Sequence, residues 1–461
     1  MKLAIPTLAI AAVAAAIFVL GAGWSFAQSN DVTYLSEADV RVQESNPDGY
    51  YAHRGLWTDG TTSYRKESYL RFKVSGVDEE ALKSAKLRVH SYEGTHDGPA
   101  IYQTTNDWSE GGITWANRPA TVGPEIDDAG GVAKGSWVEY DVSSVVDGDG
   151  TYSFALRSGS ADLAKFDGWE GSHQPELVVS VEGDPILVGA GDIASGENDD
   201  DAATAELLEA IPGTVFAVGD DAYESGSIED FESYYEYTWG TEKARTKPSP
   251  GNHEYVGGST PQYGRGYFDY FGAVAAQSNG GSYSYNLGEW HIVSLNTGRC
   301  YGSAEADGSI PRCGPGDSMI EWLKRDLAAN GAQCTLAYFH HPRYSSGIEH
   351  GSEPGYTKAI WDALYADNAE VVVSGHDHDY ERFAPQDPEG KLDEERGIRQ
   401  FVVGTGGRSL RGFGEIEANS KVRNSDTYGV IKFTLKPGSY DWDFIPVDEG
   451  AFTDAGSGRC H

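Results

Sequence analysis

The stretch VVVSGHDHDYER, Val371 to Arg382, decides how the rest of the chain is read. It opens with Val371, Val372 and Val373, an apolar β-branched run that predicts a buried strand. The run stops at Ser374-Gly375, and His376 and His378 follow. Residues two apart in extended backbone point to the same side, so both imidazoles can face one point beyond the strand end. Neutral imidazole is a good ligand for zinc, iron or manganese. A polar loop with two solvent-facing histidines would carry the same letters. The choice rests on whether other strands of the chain end in further ligands.

Working outward, apolar runs alternate with helical patterns from residue 185 to 461. Strands are predicted at Ile186 to Ala190, Val215 to Val218, Trp290 to Leu295, Thr335 to Tyr338, Phe401 to Val403, Val430 to Leu435 and Tyr440 to Ile445. Helices are predicted at Ala202 to Ile211, Glu229 to Trp239, Ser318 to Ala328 and Tyr356 to Leu364. This is an α/β arrangement, with sheet strands flanked by helices. Asp192, Asp220, His340 and His376 each follow an apolar run, at the strand ends where open α/β sheets place their active sites. Tyr223 in GDDAY and Asn252, His253 and Glu254 in GNHEY add polar groups in loops. Singly, an aspartate after a strand reads as a cap and Asn252 as a turn former. Jointly, GDI, GDDAY, GNHE, FHHP and GHDHDYER in that order read as a metal centre. GTGGRS, Gly404 to Ser409, lacks the spacing of a nucleotide P-loop and reads as a strand-end loop bordering the site.

Composition sets the outer limits. The chain has 461 residues and a formal net charge of −36, which argues against nucleic-acid binding driven by phosphate attraction. Met1 to Ala27 reads as a secretion signal: Lys2, an apolar core from Leu3 to Leu20, and small residues before Gln28. The apolar stretch approaches membrane-spanning length, so an uncleaved anchor facing outside is the alternative. Four cysteines in an exported chain favour disulfides, and of three pairings Cys300–Cys313 with Cys334–Cys460 is preferred.

Residues 29–183 carry a different pattern. Tyr69 to Val74, Lys86 to His90, Trp137 to Val142, Tyr152 to Arg157 and Leu177 to Val181 predict strands of an antiparallel β-sandwich. Asp147-Gly148-Asp149-Gly150 is expected to be a hairpin turn. SYLRFKVSG, AKLRVHSYEG, DWSEGGITWANRPA, GSWVEYDVSSVV and GTYSFALRS resemble DNRLRE-type β-sandwich modules, related to carbohydrate-binding modules of family 96. The resemblance implies a polysaccharide-binding module, with no site residues carried over. Trp108, Trp115 and Trp137 are each expected in packing before sugar stacking. Glu182 to Pro185 reads as the linker.

The five ordered motifs of residues 186–445 resemble the calcineurin-like metallophosphoesterases, and within them the purple acid phosphatases. The first motif, Asp192-Ile193-Ala194, lacks the histidine of the wider family, and Tyr223 in GDDAY takes its place as in the purple subgroup. The resemblance implies a four-layer α/β/β/α sandwich behind the all-β domain. It makes Asp192, Asp220, Tyr223 and His378 ligands of one metal, and Asp220, Asn252, His340 and His376 ligands of the other, with Asp220 bridging. The implied pair is Fe(III) with Zn(II), Fe(II) or Mn(II). The implied activity is a secreted phosphatase that hydrolyses phosphomonoesters through a metal-activated hydroxide. In it His253 is the proton donor, oriented by Glu254 or another acid, and Asn252 and His253 contact substrate; His341 either contacts phosphate or hydrogen-bonds behind the ligands. A phosphodiesterase or nucleotidase on the same centre is the alternative. So is a carbohydrate-binding or adhesion protein with a vestigial esterase half. Arg343, Arg408 and Arg411 are expected in surface or structural ion pairs. Plant members carry a different N-terminal domain, so their dimer interface is not carried over and the oligomeric state stays open.

Overall fold

The computed structural model describes residues 29–51, 55–77, 79–169, 171, 173–255, 264–275, 280–300 and 313–461. The expected export segment, residues 1–27, lies outside them. No described helix is long and apolar enough to cross a membrane.

The first part of the chain is a sandwich of two antiparallel sheets. One has six strands, ordered Ser29–Leu35, Glu176–Glu182, Leu82–Glu93, Ala164–Phe166 and Leu56–Thr58, with Ser136–Asp141 also on Leu82–Glu93. The other has five: Ala38–Gln43, Lys66–Val74, Gly150–Arg157, Ala100–Thr104 and Thr121–Asp128. Alternating residues such as Leu87, Val89, Leu70, Phe72 and Phe154 meet in one core between them. The hairpin expected at Asp147 to Gly150 is not formed. Ser136–Asp141 and Gly150–Arg157 lie in opposite sheets, so the turn is a crossover between layers. Its acids are used locally: Tyr152 donates to Asp147 (2.7 Å), and the Val77 amide donates to Asp149 (2.6 Å). Trp115 is buried beneath the Arg118 guanidinium, and Trp108 donates to Ser153 Oγ (3.1 Å), so both are packing residues.

The second part has two mixed sheets. Six strands run Thr246–Ser249, Thr214–Val218, Ile186–Ala190, Gly429–Lys436, Ser439–Pro446 and Ala455–Arg459. Seven run Tyr283–Leu287, Trp290–Ser294, Cys334–Tyr338, Val371–Ser374, Arg399–Val403, Tyr380–Phe383 and Ser420–Asn424. The period of two explains the layers. Val371, Val373, Leu336 and Tyr338 face the other sheet. Val372 and Ala337 face the opposite way, onto the helices Ser318–Ala329 and Pro354–Ala366. A strand buried on both faces must read as a continuous apolar run, which is how these read in the sequence. The helix Asp200–Ala210 covers the six-stranded sheet through Ala205 and Leu208. The result is the expected α/β/β/α order behind an all-β domain.

The helix expected from Glu229 to Trp239 is irregular. Ile228–Asp230 is α-helical, Phe231–Tyr235 is a π-helical turn and Trp239–Arg245 is a 3₁₀ helix. This segment packs Phe231 and Tyr235 against Tyr270 and Phe271. Both expected disulfides form, Cys300–Cys313 and Cys334–Cys460, with Cα separations of 5.9 and 5.5 Å.

A buried ion pair joins the two parts. Glu242 and Arg245 are fully buried and 2.7 Å apart, and Ser75 of the sandwich donates to Glu242 at 2.6 Å. Arg245 also donates to the carbonyls of Gly213 and Leu208. E242A would leave a buried guanidinium without its carboxylate, which costs about 3–5 kcal/mol. The expected result is a clear fall in calorimetric Tm, smaller when R245M is added. An unchanged Tm for E242A would show that the junction does not depend on this pair.

Candidate functional site

The parallel strands Ile186–Ala190, Thr214–Val218 and Thr246–Ser249 all point their carboxyl ends one way. So do Trp290–Ser294, Cys334–Tyr338, Val371–Ser374 and Arg399–Val403 in the facing sheet. The loops that follow meet over the seam between the sheets. They carry Asp192, Asp220, Tyr223, Asn252, His253, His340, His376 and His378 into one cluster.

Tyr223 Oη lies 2.9 Å from Asp192 Oδ1, 3.2 Å from Asp220 Oδ2 and 3.2 Å from His378 Nε2. On the other side, His340 Nε2 lies 3.1 Å from the same Asp220 Oδ2, 3.1 Å from Asn252 Oδ1 and 3.2 Å from His376 Nδ1. One carboxylate oxygen therefore belongs to two sets of donors. Donors around an ion with bonds of about 2.0–2.2 Å sit roughly 3 Å apart, so both sets have the spacing of a coordination shell. Asp220, His340 and His376 also offer donor atoms that all lie within 4.8 Å of one another.

Backbone carbonyls fix which imidazole nitrogen faces inward. His340 Nδ1 lies 3.0 Å from the Val218 carbonyl, and His378 Nδ1 lies 3.0 Å from the Ser409 carbonyl. Each Nδ1–H is thus committed outward, so Nε2 faces the cluster. Against the effect of burial, the Asp220 and Asp192 carboxylates raise His340 to about 9, and a bound cation would displace the proton on its Nε2. Burial, then neighbouring positive groups, hold His376 well below its ordinary pKa and lower His378 to about 3. These rings are neutral, the form that binds a cation. Burial pushes Asp192 up to about 7, despite His340 beside it. Burial and the Asp192 and Asp220 carboxylates raise the Tyr223 phenol well above its ordinary range. The cluster holds more buried carboxylate than its protein neighbours neutralise.

Three of these residues have left-handed backbone: Asp192 (φ 58°), Asp220 (φ 51°) and His376 (φ 74°). Such conformations cost on the order of 1–3 kcal/mol each and persist where the surroundings hold them. Two glycines explain the motif spelling. A Cβ on Gly251 would sit 2.1 Å from Asp220 Oδ1, and one on Gly219 would sit 2.7 Å from His340 Nδ1.

His253 stands at the rim, with its side chain 27% exposed and its ring 4.4 Å from that of Tyr223. Its amide donates to Asp220 Oδ1 at 2.8 Å, and its Nε2 lies 3.9 Å from Asp220 Oδ2. The orienting group is not Glu254. His253 Nδ1 lies 2.7 Å from the Glu224 carbonyl, while Glu254 accepts amides of Gly251, Asp220, Asp221 and Ala222. Glu254 ties the GDDAY loop to the GNHE loop from beneath. His341 is fully buried, with Nδ1 2.9 Å from Thr297 Oγ1, and packs behind His340 and His376. That contact is the hydrogen-bonding role expected as one of its two alternatives.

Sequence reading missed His350. Its ring stacks on His376 at 3.9 Å, and its Nε2 lies 3.3 Å from Arg411 Nη1. The loop that carries it is held by Asp377 of the opening stretch, which accepts from Ser345 Oγ (2.5 Å) and the Gly351 amide (2.9 Å). The loop has no periodicity to betray the contact; the one available signal was a further histidine in the loop after the FHHP strand. Arg408 lies over Tyr223 and pairs with Glu197 and Glu224, and Arg343 donates to the Pro388 carbonyl. Both have structural partners. Arg411 pairs with Glu349 at 2.9 Å and lies beside His350.

Comparison with known proteins agrees with this geometry. Residues 30–181 match carbohydrate-binding module family 96, and residues 179–380 match the calcineurin-like phosphoesterase family. Purple acid phosphatase 15 of Arabidopsis thaliana is 31% identical over 168 residues, which are 33% of this chain and 29% of that protein. The match thus spans less than a third of that relative's length. The solved structure of purple acid phosphatase PPD1 from yellow lupin superimposes with a TM-score of 0.50 at 16% identity. That alignment covers 87% of this chain and 73% of the lupin chain. The chain carries a calcineurin-like phosphoesterase domain similar to the purple acid phosphatases, behind a family-96-like sandwich.

Proposed function

We propose that this chain is an exported phosphatase that hydrolyses phosphomonoesters on a dinuclear metal centre. The observation that carries the proposal is Asp220 Oδ2, shared between the Tyr223 and His340 donor sets. In this reading Asp192, Asp220, Tyr223 and His378 hold one ion. Asp220, Asn252, His340 and His376 hold the other. The first set is anionic, with two carboxylates and a phenol that burial would otherwise keep protonated, which suits Fe(III). The second is nitrogen-rich and nearly neutral, which suits Zn(II), Fe(II) or Mn(II). When bound, the pair would supply Lewis acidity, acidifying a water and taking up phosphoryl charge.

The side chains of the site do the remaining work. His253, with Nδ1–H held by the Glu224 carbonyl, keeps Nε2 toward the crevice and passes its proton to the leaving alkoxide. Arg411, which lies beside His350 and pairs with Glu349, would be the cation available to phosphoryl oxygens. Glu254 and Asp377 keep the loops in register and touch no substrate. Export is supported by the two disulfides, which persist in oxidising compartments. The sandwich would hold the enzyme to polysaccharide, as its family match suggests.

A panel of aryl and alkyl monoesters and diesters tests this. Monoesters should turn over faster than diesters, and H253A should lower turnover by roughly 10²–10⁴-fold for alkyl esters and much less for aryl esters. Equal losses across leaving groups would remove His253 from the proton-transfer role. Faster diester turnover would move the proposal to a phosphodiesterase on the same centre.

A further inference from the structure

We propose that the N-terminal sandwich has a metal site of its own, in which His90, Asp167 and His173 hold one divalent ion of the zinc class. His90 lies on the strand Leu82–Glu93, Asp167 directly follows Ala164–Phe166, and His173 lies in the loop before Glu176–Glu182. Their three donor atoms lie within 4.8 Å of one another. Asp167 Oδ2 is 2.8 Å from His90 Nδ1 and 3.1 Å from His173 Nδ1. A tetrahedral ion with bonds of about 2.0–2.1 Å spaces its ligands roughly 3.3 Å apart, close to this arrangement.

The support around the trio is rigid. The Asp167 amide donates to the His90 carbonyl at 2.9 Å, fixing the carboxylate beside the ring. The imidazoles stack at 3.8 Å with 27° between their planes, with both Nδ1 atoms beside Asp167 Oδ2; closing both lone pairs on one ion takes a rotation of the more exposed His173 ring. Trp137, the cross-strand partner of His90, stands edge-on to both rings at 5.5 and 5.8 Å and walls one side. His173, 42% exposed, gives the site access to solvent, which can supply a water as fourth ligand. Two neutral imidazoles and one carboxylate suit Zn(II) and exclude the oxygen-only chemistry of calcium. The ion would fasten the loop before Glu176–Glu182 to the central strand of the six-stranded sheet. None of the three residues belongs to the cluster around Asp220.

Metal stoichiometry of the full chain tests the site. Chelated and gel-filtered protein is titrated with Zn(II) alone, and bound metal is counted. Wild type should hold one equivalent more than H173A or H90Q, with aryl phosphate hydrolysis by H173A unchanged. Equal stoichiometry in folded wild type and both variants would leave a hydrogen-bonded trio and overturn the site. Should the sandwich variants fail to fold, a chain carrying D220N and H340A gives an independent reading. It should lose Zn(II) at the phosphoesterase centre yet keep one equivalent. Binding none would overturn the site as well.

Discussion

D220N should cost the protein its paired metals and lower phosphomonoester turnover by roughly 10³-fold or more. The Asp220 carboxylate oxygen lies within reach of both Tyr223 and His340. An amide keeps the shape but removes the negative charge that would sit between two cations. It also disturbs the hydrogen bond that the His253 amide donates to Asp220 Oδ1. Losing several kcal/mol of transition-state charge stabilisation corresponds to about a thousandfold in rate. The fold should survive, because the loop is also held by Glu254 through the amides of Asp220 and Asp221. Metal content by elemental analysis should fall below two per chain while calorimetry shows a cooperative transition. Full activity in D220N would place the chemistry elsewhere.

Y223F should abolish visible absorption in protein that is coloured as isolated. A phenolate on Fe(III) gives a charge-transfer band, and Tyr223 is the phenol that meets Asp192, Asp220 and His378 at 2.9–3.2 Å. The ring itself stays packed against His253 and beneath Arg408, so phenylalanine should fill the space. Removing the hydroxyl leaves buried acceptors short of a partner, at about 1–3 kcal/mol. The expected outcome is a folded, colourless protein with weakened Fe(III) binding. A colourless wild type loaded with two divalent ions would remove the Fe(III) assignment and leave the phosphoesterase proposal standing.

The strands that position the cluster were legible because both of their faces are buried. Val371 to Val373 and Leu336 to Phe339 have to be apolar throughout, and the first polar residues after them mark the strand ends. The edge strands were not legible. Ser420–Asn424 is only part-buried and Ala455–Arg459 is mostly exposed, so neither shows alternation. Tyr380–Phe383 hid inside a motif read for its histidines, although Tyr380 and Phe383 are fully buried. The turn at Asp147 to Gly150 was misread because turn chemistry is the same whether a chain returns within a sheet or crosses to the other. His350 and the Glu224 carbonyl reach the site through loop shape and a main-chain atom, which leave no side-chain pattern. Glu254 was noticed but given the wrong partner, since its adjacency to His253 in sequence is not adjacency of their side chains.

The direct test of the central claim is metal content measured on the same samples as aryl phosphate hydrolysis, through chelation and reconstitution. The account predicts a rise of activity with the second metal equivalent bound at the Asp220 cluster, beyond any ion held by the sandwich, and its loss on chelation. A folded chain that binds no metal at that cluster, or binds two ions there and hydrolyses no phosphate ester from acid to alkaline pH, would contradict it.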